Sequence, residues 1–155
     1  MEPKLTPTFS RIISTDYLAQ NLFIMIFGPR VIYLINFIIE GERVIFLVII
    51  AAICTIVGGV AFPLRYWTIT STFEYGEITT ALIIDVHTIS TRKKRKDYII
   101  DYEYDRAGQT YQYRNRVKKN SFARNLKKGK KVILLVNREK PNLAFIKDIY
   151  LEPIQ

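Results

Sequence analysis

Residues 97–117 read DYIIDYEYDRAGQTYQYRNRV. Along the first limb Tyr98, Ile100, Tyr102 and Tyr104 point one way, and Asp97, Asp101, Glu103 and Asp105 point the other. Along the second limb Tyr111, Tyr113 and Val117 alternate with Gln112, Arg114 and Arg116. A period of two marks a strand with one face in a core. Ala107-Gly108 is the natural turn between the limbs. Closing the ribbon there sets Tyr104 opposite Tyr111, Tyr102 opposite Tyr113 and Asp101 opposite Arg114. One face becomes a tyrosine ladder and the other a charge-paired solvent face. Pattern and turn therefore agree on one register.

The same period extends outward on both sides. Residues 78–89, ITTALIIDVHTI, predict the strand before the hairpin. Strict alternation puts Ile78, Leu82, Ile84 and Val86 on one face, with Thr79, Ala81, Ile83, Asp85, His87 and Ile89 on the other. After the hairpin, Lys127-Lys128-Gly129-Lys130-Lys131 reads as a turn leading into VILLV at 132–136, a strand apolar on both faces. NREKPN at 137–142 is the loop out, and Leu143 to Tyr150 reads as the last strand. Five strands joined by short turns predict a small antiparallel all-β domain, barrel- or sandwich-like, over 68–155. Its roughly 85 residues can bury a small core.

The chain before residue 68 is built for a different solvent. Residues 44–64, VIFLVIIAAICTIVGGVAFPL, hold no charged side chain. As a helix that run spans roughly 31 Å, the thickness of a bilayer core. Gly58 and Gly59 suit a membrane helix, and Arg65, Tyr66 and Trp67 suit the headgroup zone. Residues 22–39, LFIMIFGPRVIYLINFII, are also apolar but carry Gly28, Pro29 and Arg30 at their middle. They fit either a second span, kinked at Pro29, or an interfacial helix with Arg30 at the headgroups. The domain plan is an N-terminal tail at 1–16, a membrane region at 17–67 with one or two helices, and the β domain. Neither apolar segment has the position or flanks of a cleaved signal peptide. Residues 1–64 are net neutral, whereas 65–155 hold 19 basic and 10 acidic groups. As a hairpin, Glu40-Gly41-Glu42-Arg43 is the translocated loop and the β domain stays in the cytoplasm. As a single span, the β domain lies outside. The positive-inside rule accepts both, and the cytoplasmic placement is favoured.

The second half resembles the bacterial domain of unknown function family numbered 3592. The resemblance runs over about residues 76–147. It rests on Gly76 before the ITTALIIDV strand, YIIDYEYDRAGQTYQYR, Phe122, and GKKVILLVNREKPNLAFI. In that family a glycine before a strand is followed by a Tyr-Asp-Pro-x-Asn-Pro-like loop. Here Val136-Asn137-Arg138 replaces the Tyr-Asp-Pro, while Pro141 matches the later proline. The resemblance implies a β domain beside one or two membrane helices in the bacterial inner membrane. It implies no catalytic residues.

Catalytic chemistry finds little support. One cysteine, Cys54, and one histidine, His87, exclude a disulfide scaffold and a structural zinc site. His87 shares a face with Asp85 and could orient a base, with Thr79 and Ser90 the nearest nucleophiles in sequence. A lone strand histidine is ordinarily structural, so an enzyme built on His87 and Asp85 is the lesser alternative. Asp97, Asp101, Glu103 and Asp105 stand about 7 Å apart on one face opposite arginines, which argues against a metal site. The glycines match neither a P-loop nor a dinucleotide fingerprint, and no cofactor is expected. The basic clusters carry more information. They are Arg92-Lys93-Lys94-Arg95-Lys96 between two strands, and Lys127, Lys128, Lys130 and Lys131. Such clusters are solvated tips, or they meet the anionic leaflet or an acidic protein partner. Nucleic acid is less favoured, because the aromatics that would stack on bases line the ladder. The expectation is therefore a membrane-anchored, non-enzymatic binding or accessory domain, an immunity protein being the narrower form. A membrane-tethered nucleic-acid binder is the rival.

Overall fold

The computed structural model describes residues 6–40, 45–91, 95–118 and 121–151. The elements run α1 (Phe9–Thr15), α2 (Tyr17–Glu40), α3 (Ile45–Tyr75), β1 (Glu77–Thr91), β2 (Arg95–Arg106), β3 (Gln109–Lys118), α4 (Ser121–Arg124), β4 (Lys131–Val136), β5 (Ala144–Ile146) and α5 (Lys147–Tyr150). The chain forms two compact units. Leu18–Trp67 is one; the chain up to Tyr17, together with Thr68 onward, is the other.

The first unit is helical. Both of its helices are long and apolar enough to cross a membrane. α2 continues through Pro29 and α3 through Pro63. The two helices meet at Gly58, where an added Cβ would lie 2.8 Å from the Leu22 carbonyl oxygen. Only a residue without a side chain permits that approach, the familiar use of glycine between apolar helices. The Thr55 hydroxyl donates to the Ile26 carbonyl at 3.4 Å, and the Phe23 and Phe62 rings pack with centroids 5.6 Å apart. Elsewhere the large apolar side chains face outward, Ile38 and Ile39 among them.

The second unit is a five-stranded antiparallel sheet in the order β3-β2-β1-β4-β5, curled into a half-barrel. The β2–β3 hairpin has the register read from the sequence: Tyr104 opposite Tyr111, Tyr102 opposite Tyr113, Asp101 opposite Arg114. Ala107 and Gly108 turn it with φ of 50° and 77°. Positive φ at both central residues matches the twist of the flanking strands. Tyr102, Tyr104 and Ile100 are buried, and the rings of Tyr102–Tyr113 and Tyr104–Tyr111 are in contact.

Three features depart from simple alternation. First, β1 is irregular between Ile83 and Asp85. Ile83 pairs with Tyr102 and Asp85 with Asp101, so Ile84 is an extra residue, a β-bulge. The bulge resets the faces. Ala81 and Ile83 are buried while Ile78, Thr80 and Leu82 lie exposed. Beyond it, the half-buried Val86 pairs with the buried Ile100, whereas Asp85 and His87 pair with Asp101 and Ile99 on the other face. The expected apolar face of Ile78, Leu82, Ile84 and Val86 is therefore split. Second, the last strand is only Ala144–Ile146; Lys147–Tyr150 turns into α5, which buries Ile149 and Tyr150. Alternation cannot hold a segment whose apolar residues all face inward.

Third, of the segment read as an N-terminal tail, residues 6–16 belong to the same compact unit as the sheet. Thr8 caps α1, its hydroxyl accepting from the Arg11 backbone N–H at 3.3 Å. Ile12, Thr15 and Asp16 are buried. Asp16 forms a backbone bridge with Val117 on the outer edge of β3, and the Arg116 guanidinium lies 3.6 Å from the centre of the Tyr17 ring. Ile69 and Phe73 from the end of α3 are buried too, and Phe73 packs with its ring against Phe145 and Tyr150.

Candidate binding surface

Three arginines and two tyrosines of the half-barrel are engaged within it. Arg114 pairs with Asp101 at 2.6 Å through a two-pronged contact, and Arg116 with Asp97 at 2.8 Å. Arg106 reaches Glu77 at 3.0 Å and donates to the carbonyls of Asn137 and Arg138. The Tyr102 hydroxyl donates to the Ala144 carbonyl at 2.6 Å, and that of Tyr104 to the Pro141 carbonyl. The ladder thus does more than fill the core, since two of its hydroxyls hold the β4–β5 loop and the start of β5. Alternation gave no sign of that role, because a phenol reads as apolar in a pattern of two.

The lysines of the turn 127–131 behave differently. Lys127, Lys128, Lys130 and Lys131 are exposed. Among the described residues, Lys127, Lys128 and Lys131 make no ion pair. Their backbone is nevertheless fixed. The Gly129 N–H donates to the Ile83 carbonyl at 2.8 Å, the Ile83 N–H donates to the Lys130 carbonyl at 3.0 Å, and the Lys130 N–H closes the turn on Lys127 at 3.1 Å. Gly129 has φ of 80°, a conformation that a glycine adopts without strain. Four ammonium groups are thus displayed on a turn tied to the bulged strand. Of the other basic cluster, Arg92, Lys93 and Lys94 lie outside the described residues. Arg95 and Lys96 open β2, opposite Thr91 and Ser90.

The sites weighed for chemistry are not assembled into a cleft. His87 Nε2 lies 3.1 Å from Asp85, but both side chains are about half exposed on the outer face, at 57% and 48%. Thr79 pairs with Leu134, several strand positions before the bulge, so it is not brought to His87. Three of the four acids of β2 are engaged singly: Asp97 by Arg116, Asp101 by Arg114, and Asp105 by the Thr110 hydroxyl at 2.6 Å. Arg114 holds the Asp101 carboxyl below the usual carboxylate range, chiefly through its hydrogen bonds. Burial pushes the Tyr104 hydroxyl above its ordinary value, which keeps it a neutral donor. A shallow groove on the outer face is lined by Thr80, Leu82, Glu103, Asp105, Thr110 and Lys131, and mixes both signs of charge.

Residues 74–148 match the family described as a domain of unknown function (DUF3592). The match spans all five strands. No curated protein and no solved structure matches the chain significantly. In the β4–β5 loop the Asn137 side-chain oxygen accepts from the backbone N–H groups of Glu139 and Lys140, each at 3.0 Å. Its amide nitrogen donates to the Thr72 hydroxyl at 3.1 Å.

Proposed function

We propose that this protein is a non-enzymatic binding module, anchored in a bacterial cytoplasmic membrane, whose lysine turn at 127–131 engages an acidic surface of a protein partner. One contrast carries the reading. Arg106, Arg114 and Arg116 are paired within the domain, whereas the lysine turn is exposed and pinned to β1 by two backbone hydrogen bonds. A fixed backbone lowers the ordering cost of association, and clustered charge speeds encounter with an acidic patch. A small domain on a membrane anchor suits an accessory or immunity role, stationed where its partner arrives.

The test replaces Lys127, Lys128, Lys130 and Lys131 with Ser in the full chain and compares crosslinked partners in native membranes. The expected result is loss of a partner seen with the unaltered protein, with thermal stability retained. An unchanged set of crosslinks overturns the proposal. So does a loss confined to binding of anionic vesicles, which assigns the turn to the lipid surface, or to binding of nucleic acid.

A further inference from the structure

We infer that α2 and α3 cross the membrane as a hairpin, with the N-terminal segment and the β domain together on its cytoplasmic face. The inference shares the membrane anchor with the proposal above but does not depend on the lysine turn. Its first support is connectivity. The chain leaves the β-containing unit after Tyr17 and re-enters it at Thr68. The departing end is built into that unit. Ile12, Thr15 and Asp16 are buried, Asp16 is bridged to Val117, and the Tyr150 hydroxyl donates to its carboxylate at 2.7 Å. Were only one helix to cross, this segment and the sheet would lie on opposite sides of the bilayer. Every one of these contacts would then be lost. The intervening chain must therefore cross an even number of times.

Two crossings fit better than none. The span Tyr17–Ile39 has 23 residues, about 34 Å of helix and enough for a hydrocarbon core. An interfacial helix needs a polar face. In α2 the exposed apolar residues include Leu18, Phe27, Ile32, Leu34 and Phe37. At 100° per residue the exposed set covers about 260° of the helix, and Leu22 and Ile26, which meet α3 at Gly58, lie in the remaining sector, so no polar stripe is left. A helix apolar all round suits a span rather than an interface. Lone Arg30 is the exception, and a single arginine in a span is tolerated at a cost of about 3 kcal/mol.

The side follows from the flanks. Glu40 and Glu42 accompany Arg43 in the connection between the helices, whereas Lys4, Arg11 and Arg65 flank the outer ends. Basic residues close to span ends stay in the cytoplasm, which leaves the connection on the far side.

The experiment uses the full chain with Cys54→Ala and one new cysteine at a time: Ser10→Cys, Gly41→Cys or Glu139→Cys. Ser10 and Glu139 are exposed, so neither change disturbs the core. An impermeant maleimide is applied to intact cells and to permeabilised cells. The inference expects Gly41→Cys to label in intact cells, and Ser10→Cys and Glu139→Cys to label only after permeabilisation. Opposite behaviour of positions 10 and 139 overturns it, as does position 41 behaving like both. Labelling of positions 10 and 139 from outside overturns the cytoplasmic assignment. None of these results depends on whether the lysine-to-serine chain keeps its crosslinks, so the two readings fail separately.

Discussion

The hydroxyl of Tyr150 donates a hydrogen bond of 2.7 Å to the carboxylate of Asp16, joining residues 134 positions apart in a fully buried setting. Asp16 closes α1, where its backbone N–H bonds the Ile12 carbonyl, and it also bridges Val117 on the edge of β3. A buried carboxylate requires partners to replace water, and Tyr150 supplies one of them. This contact joins the start of the chain to its last helix.

Tyr150→Phe keeps the ring packing against Phe73 and Phe145 and removes only the donor. It should destabilise the β domain by about 1.5–3 kcal/mol, the range for a hydrogen bond to a charged group. Thermal unfolding of the detergent-solubilised full chain checks this. A chain starting at residue 68 loses Asp16 and Ile12 as well, and should unfold at a lower temperature than Tyr150→Phe. An equally stable truncated chain would show that the N-terminal segment is dispensable.

Gly76 links α3 to β1 with no space for a side chain. An added Cβ would sit 2.2 Å from the Thr72 carbonyl oxygen and 2.9 Å from that of Val136. Both obstacles are backbone and cannot rotate away. Gly76→Ala should therefore destabilise by about 3 kcal/mol or more, at the upper end of overpacking. Gly59→Ala, where nothing lies within 4 Å, is the matched control and should leave stability unchanged. Melting curves that coincide for the two variants would contradict this.

Tyr102→Phe and Tyr104→Phe should each cost about 1 kcal/mol, since each frees a backbone carbonyl, of Ala144 and of Pro141 respectively, while the ring stays in place. Tyr102→Ala should cost about 3–5 kcal/mol, because it opens a cavity as well. Hydrogen exchange of the amides in 137–146 gives the local readout. Both phenylalanine variants should exchange faster there than in β2 and β3. Uniform acceleration across the sheet would show that the hydroxyls do not hold the loop.

The Asp101–Arg114 pair predicts a pH dependence. Asp101 is held below its unfolded value mainly by hydrogen bonds from Arg114, with burial opposing and His87 adding a small lowering. A carboxyl lowered on folding adds stability above its unfolded value, about pH 4, which fades as pH falls through the folded value. Arg114→Gln removes the main cause. The variant should be less stable than the parent at neutral pH, and the difference should shrink toward about pH 2. The Arg114 side chain is 68% exposed and that of Asp101 18%, so solvent still screens the pair from one side and the effect is small and weakens with salt. Urea titrations across that range decide it. A gap that stays constant with pH would locate the loss in packing instead.

The sequence by itself determined the division into an apolar helical half and a β half, the strand succession and the register of the central hairpin. Each is a local property. An uncharged run as long as a bilayer is thick needs a lipid or core environment, and period-two tyrosines around Ala107-Gly108 allow only one pairing. The lysine turn was legible too, because charge and Gly129 advertise an exposed loop. The Asp101–Arg114 pair followed from the hairpin register, but only the tertiary structure brought Glu77 of β1 to Arg106 and buried Asp97 beside Arg116. The bulge at Ile84 was equally hidden. One extra residue in a strand of Thr, Ile and Val changes no local preference, and its place depends on how β2 and β4 grip the two ends of β1. Above all, Asp16 reads as a polar residue in a tail. Its burial beside Tyr150 depends on a fold that closes across 134 residues, and no window of sequence contains both partners.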